Sequence, residues 1–179
     1  MESFSFEKHV WAEIDLDALR ANFAAVQRHA PGRPLCAVVK ADAYGHGAVQ
    51  CARALAQAGA AWLAVSCLAE AVQLRRAGLT LPILILGHVQ PSYASALIQH
   101  QLTAACYSSE QAAALSQAAQ AAGGRVQVHL KADTGMGRIG FALRTNFDAA
   151  IAAMVNVCRL PGLQVTGLFQ HFAVADETS

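Results

Sequence analysis

Charge is scarce in this chain of 179 residues: Asp, Glu, Lys and Arg make up 14% of it, against 55% apolar residues. Ordinary soluble domains carry about 25% charged and about 45–50% apolar residues. The net charge is +1 with no block of like sign, so the electrostatic footprint of a nucleic-acid or anionic-membrane binder is missing. Long apolar runs are missing too, none reaching the roughly 18 residues of a membrane span. The opening MESFSFEKHV has neither the apolar core nor the small-residue cleavage site of a secretory leader. The five cysteines (Cys36, Cys51, Cys67, Cys106 and Cys158) show no CxxC spacing, and most stand among apolar neighbours. That argues against a disulfide framework or zinc site and for a reducing, cytoplasmic setting. No HExxH or other ligand spacing links the histidines, so no metal is expected.

What remains is an alternation of short β-like runs and Ala-rich helical stretches. Residues 10–14 (VWAEI) alternate like a half-buried strand, Asp15 can cap a helix, and Leu16, Leu19, Phe23 and Val26 recur at helical spacing up to Pro31-Gly32. β-like runs follow at 35–40, 62–66, 83–87, 102–106, 126–131 and 163–169. Helical stretches lie between them at 48–58, 68–77, 92–100, 109–122 and 146–157, with Gly59, Gly78 and Gly123-Gly124 placed just past helix ends. Repeated βα units argue for a parallel sheet whose strands are buried on both faces. An open doubly wound sheet and a (β/α)8 barrel both fit, but the first βα turn lacks GxGxxG, so the barrel is favoured. A closed barrel needs eight strands and about 250 residues. The reading is therefore an incomplete (β/α)8 TIM-type barrel of about six barrel strands over 15–179, after an N-terminal strand segment at 1–14. The chain reads as a fragment, with two unpaired edges that invite association.

There are only three lysines. Lys8 lies in the polar opening segment, whereas Lys40 and Lys131 each fall at the C-terminal end of an expected strand, the end that carries barrel active sites. A rim amine freed of its proton can attack an aldehyde and form a Schiff base; the plain alternative is a lysine snorkelling at a strand end. Around Lys40 the sequence reads AVVKADAYGHG (37–47), in which Tyr44 offers a hydroxyl and the glycines allow close backbone approach, a combination suited to phosphate. A packed aromatic is the competing reading of Tyr44. In VQVHLKADTGMGRIGF (126–141), Gln127, His129 and Lys131 share one strand face, and a polar face on a buried strand must find partners. Arg138 stands among glycines, free to grip a carboxylate or phenolate, or else to pair with Asp133. His171 ends the last strand run, where it can stack on a flat cofactor, exchange protons, or simply pack.

These segments together resemble the alanine racemase family. WAEIDLDALRANF (11–23) looks like its opening, VVKADAYGHG (38–47) like its pyridoxal-phosphate lysine signature, KADTGMGRIGF (131–141) like its middle motif, and GLFQHFAVADE (167–177) like the strand bearing its ring-stacking histidine. The resemblance implies an enzyme that interconverts L- and D-alanine with pyridoxal 5'-phosphate, working as a cytoplasmic homodimer. It implies Lys40 as the Schiff-base lysine and one of two Cα proton-transfer groups, and Tyr44 as a phosphate contact. It further implies Arg138 near the phenolic oxygen and substrate carboxylate, His171 stacked on the pyridine ring, and Lys131 as a lysine that carries a carbamate in some members and steadies the arginine. Gln170 departs from the family's small hydroxyl residue. The family's second base, a tyrosine of a C-terminal β domain supplied across the dimer, is absent here, so this chain alone is expected to have negligible activity. Two competing readings keep Lys40 but change the chemistry: a class I aldolase-like enzyme, and a pyridoxal-phosphate-carrying homeostasis barrel without catalysis.

Overall fold

The computed structural model describes residues 10–177; Lys8 and the first part of the expected leading strand lie outside them. The chain runs α1 (Leu16–His29), β1 (Cys36–Val38), α2 (Lys40–Gly45), α3 (Ala48–Gln57), β2 (Trp62–Val65), α4 (Leu68–Arg76), β3 (Ile83–Ile85), α5 (Ala94–Gln99), β4 (Thr103–Cys106), α6 (Ser109–Ala121), β5 (Val126–Asp133), β6 (Phe141–Ala142), α7 (Phe147–Cys158) and β7 (Leu163–Gln170). Local chemistry starts several helices. Asp15 Oδ1 accepts from the backbone N–H groups of Asp17 and Ala18 (2.9 and 3.0 Å), opening α1, and Ser108 Oγ accepts from Gln111 N–H (3.2 Å) at α6. Gly78 and Gly123 end α4 and α6 with φ of +84° and +73°, the left-handed cap that glycine permits.

Every hydrogen-bonded strand pair is parallel. The long strands follow one another in space as in sequence, β1-β2-β3-β4-β5-β7, while the two-residue β6 pairs only with the end of β5. A doubly wound sheet reverses its order at a switch point; this one never does, which makes it a TIM-type barrel that has not closed. The core lies between strands and helices: Leu63, Val65, Ile83, Ile85, Leu74 and Leu115 are fully buried. All three residues of β3 and all four of β4 are buried, as expected of strands covered on both faces. The arc's two edges differ. Val38 on β1 is 42% exposed and Leu168 on β7 is 61% exposed, because no further strand or helix of the described residues covers them.

Three local expectations are corrected. Residues 10–15 form no strand: Val10 and Trp11 are exposed, and no described segment pairs with their backbone, without which alternation alone makes no ladder. The run expected at 35–40 stops at Val38, so Lys40 opens a turn and does not close a strand. The helix expected at 92–100 begins as a single 3-10 turn at Pro91–Tyr93 before α5, the proline sitting in the first turn where its missing N–H costs nothing.

Candidate active site

The C-terminal ends of the strands gather the chemistry. Lys40 comes one residue after β1 and starts α2, a helical turn of the opposite hand. Ala41, Asp42, Ala43 and Tyr44 all have φ between 51° and 56°, although none is glycine. Left-handed backbone costs about 1–2 kcal/mol per non-glycine residue, so the turn must be held by its surroundings. Within it, Ala43 N–H donates to Val39 O (3.0 Å) and Gly47 N–H to Asp42 O (2.9 Å). Asp42 Oδ1 accepts from Ala48 N–H (2.7 Å) and so supplies the cap that Gly47, with no side chain, cannot give α3. His46 Nδ1 lies 2.8 Å from Ala43 O, which fixes the proton on that nitrogen because a carbonyl only accepts. The turn puts the Lys40 amine 5.7 Å from the centre of the Tyr44 ring. Tyr44 is 61% exposed and is not packed away.

Glu70, in the first turn of α4, reaches the same place from the neighbouring βα unit. Its Oε2 accepts from the Ser66 backbone and hydroxyl (2.7 and 2.8 Å), and its Oε1 from Ala41 N–H (2.8 Å). Burial pushes this carboxyl up, but the bonds from Ser66, Ala41 and Cys67 outweigh it and hold the group below its ordinary value. Sequence reading passed over Glu70. Its one local signal is a glutamate three residues after Cys67, the spacing of a carboxylate that folds back on a helix N-terminus.

Lys131 lies inside β5, which continues two residues beyond it to Asp133; it does not end the strand as expected. It is buried, with its amine 5.0 Å from the centre of the Phe169 ring on β7. Burial lowers its proton affinity, the nearby Arg138 charge lowers it further, and Asp133 works the other way. Arg138 is exposed on the loop that follows. The expected alternative, an Arg138–Asp133 ion pair, does not form: Asp133 Oδ1 instead accepts from Gly135 and Gly137 N–H (2.9 and 3.1 Å) and shapes the loop that displays the arginine. Gln170, the departure at the end of β7, accepts from the Thr134 hydroxyl (2.9 Å), tying β7 to that loop. His171 follows it, exposed.

Two groups of residues are thus assembled, Lys40 with Tyr44 on one edge of the arc and Lys131 with Phe169, Arg138 and Gln170 on the other. His171 lies beside the second. No hydrogen bond or ring contact among the described residues joins the two groups. Below the rim the interior is polar: the His129 ring lies tilted against Trp62, its centre 4.9 Å away, and Thr103 Oγ1 donates to Gln127 Oε1 across 3.4 Å. A cleft of about 670 Å³ lies elsewhere, between α4 and residues 88–93, and none of the candidate groups lines it. Among the described residues no cluster of three His, Cys, Asp or Glu side chains could hold a metal. No described helix is long and apolar enough to cross a membrane.

Residues 14–179 match the family model described as the N-terminal domain of alanine racemase. The chain belongs to the alanine racemase family. A relative named alanine racemase from Desulforamulus reducens is 46% identical over 169 residues, covering 94% of this chain and 45% of its own length. The solved alanine racemase of Clostridium difficile 630 superposes with a TM-score of 0.90 at 38% identity, over 98% of this chain and 46% of that one. A histidine racemase from Leuconostoc mesenteroides also superposes, with a TM-score of 0.80 at 31% identity, over 90% of this chain and 42% of that one. The chain spans a little under half the length of these family members. In the family's terms, the six-strand arc corresponds to part of its barrel. The donor set on its rim (an amine, a phenol, a guanidinium and an imidazole) suits an anionic aldehyde, and among the described residues no carboxylate forms an ion pair with the Lys40 amine.

Proposed function

We propose that residues 15–179 form part of the pyridoxal-phosphate-holding barrel of an amino-acid racemase that interconverts L- and D-alanine. One observation carries the reading: the rim amine of Lys40 stands free on a shaped turn beside the Tyr44 ring, at the start of a motif matched by the family. Lys40 would hold the cofactor covalently through Nζ. The Tyr44 hydroxyl would donate to its phosphate, and the His171 imidazole would lie against its ring. Arg138 would bind the phenolic oxygen and the substrate carboxylate. Pyridoxal phosphate, when bound, withdraws electrons from the Cα of an amino acid attached to it and so acidifies the Cα proton.

Lys40 Nζ would exchange that proton on one face. Inversion needs a second group on the opposite face, beyond the residues described here, which a second copy of the protein would supply across the dimer; residues 15–179 taken by themselves would then racemise alanine negligibly. The depressed proton affinity of Lys131 supports carbamate formation there, since carbon dioxide adds only to a neutral amine, and the resulting negative charge would steady Arg138. The setting is a cytoplasmic homodimer. The test is to mix the protein with pyridoxal phosphate, reduce with borohydride and map the label. A pyridoxyl group on Lys40, lost in Lys40→Ala, supports the reading. A label on Lys8 or Lys131 in place of Lys40, or none at all, sinks it.

A further inference from the structure

We infer that Glu70 is a positioning residue for Lys40: its carboxylate pins the backbone N–H that follows the lysine to the end of the neighbouring strand, holding the turn that presents the amine and the Tyr44 hydroxyl. The inference rests on the reading of Lys40 given above. Four consecutive non-glycine residues in left-handed geometry are not a conformation that the local sequence favours. Val39 N–H donates to Ala64 O of β2 (2.8 Å) before the left-handed residues begin, whereas the other bonds made by residues 41–47 come from within 39–51. They would move with the turn. Among the described residues, Glu70 alone anchors residues 41–47 from a different βα unit, 29 residues away in sequence.

Both oxygens are committed. Oε1 takes the Ala41 N–H, and Oε2 takes the Ser66 N–H and hydroxyl. All three partners are donors, so only a carboxylate satisfies them together; an amide has one accepting oxygen and would turn its NH₂ toward one of the two backbone N–H groups. Aspartate is one methylene shorter and cannot span from α4 to both. The net downward shift of the Glu70 carboxyl keeps it ionised at neutral pH, as this arrangement requires.

The test compares wild type with Glu70→Gln and Glu70→Asp in the intact protein. Two measurements are made: amide hydrogen exchange at Ala41, and the rate of borohydride-trapped pyridoxyl labelling of Lys40 as a function of pH. Arg75→Lys, at the opposite end of the barrel, serves as a variant destabilised without touching the turn. Loss of a hydrogen bond to a charged acceptor should speed Ala41 exchange about tenfold or more in both Glu70 variants and slow labelling by a similar factor. Arg75→Lys should label at the wild-type rate. Unchanged exchange at Ala41 overturns the inference, as does labelling that falls equally in Arg75→Lys. If wild-type protein takes no label at Lys40, the cofactor reading itself fails, and the positioning role with it. A labelled wild type with equally fast Glu70 variants refutes only the inference.

Discussion

Gly167 shows how one residue of β7 serves another on β5. A Cβ placed there would meet the His129 ring at 2.7–2.8 Å, closer than side chains tolerate, so the imidazole occupies the space that a larger residue would need. Gly167→Ala is expected to destabilise the chain by about 1–3 kcal/mol through overpacking, read as a fall in the urea midpoint. Adding His129→Ala should recover part of the loss; a double variant no better than Gly167→Ala would show that the ring is not the obstacle. His129 also carries a pH signature. Burial holds its imidazole below the ordinary value of 6.5, so the folded protein binds this proton less readily than the unfolded chain. Its contribution is therefore complete above about pH 6.5 and declines as pH falls below that. The urea midpoint should drop between about pH 7.5 and about pH 5.5, and by a smaller amount in His129→Asn; equal drops would discount the effect.

Elements are tied together by polar side chains as well as by the apolar core. Arg75, in the last turn of α4, donates to four carbonyls: Leu79 and Leu81 ahead of β3, and His100 and Gln101 ahead of β4, at 2.7–3.1 Å. One guanidinium thus locks two αβ connections at the end of the barrel away from the rim, the end concerned with stability. Lysine keeps the charge but not the fork. Arg75→Lys should therefore cost about 2 kcal/mol or more in chemical denaturation, and a loss below a few tenths would show that charge alone suffices. The helix and strand positions at this scale were largely legible in the sequence. The six barrel strands fall where their apolar runs stand, and Ser108, Asp15 and Asn146 begin helices as their side chains predispose them to. The alternating run at 10–14 misled because periodicity reports a face and not a partner.

At the scale of the molecule, the arc leaves β1 and β7 without outer neighbours among the described residues, and Val38, Leu168, Phe172 and Val174 stand exposed nearby. Open parallel edges beside apolar surface favour association. The isolated 179-residue chain should sediment as species that grow with concentration and should bind an apolar fluorescent dye. A monomer that binds no dye would show that the edges are protected in a way these contacts do not reveal. The rim residues lie toward opposite sides of the same arc, so the distance between Lys40 and Arg138 depends on the curvature of the three intervening βα units and on nothing local.

The sequence by itself determined the order of the elements, the parallel class and the residues worth watching, because periodicity, caps and motifs act over a few residues. Tertiary structure alone decided the left hand of the turn at 41–44, the burial of Lys131, the use of Asp133 as a loop anchor and the reach of Glu70 across 29 residues. Each depends on which backbone groups and apolar surfaces meet after the chain has folded, a matter of positions distant in sequence that no local pattern encodes.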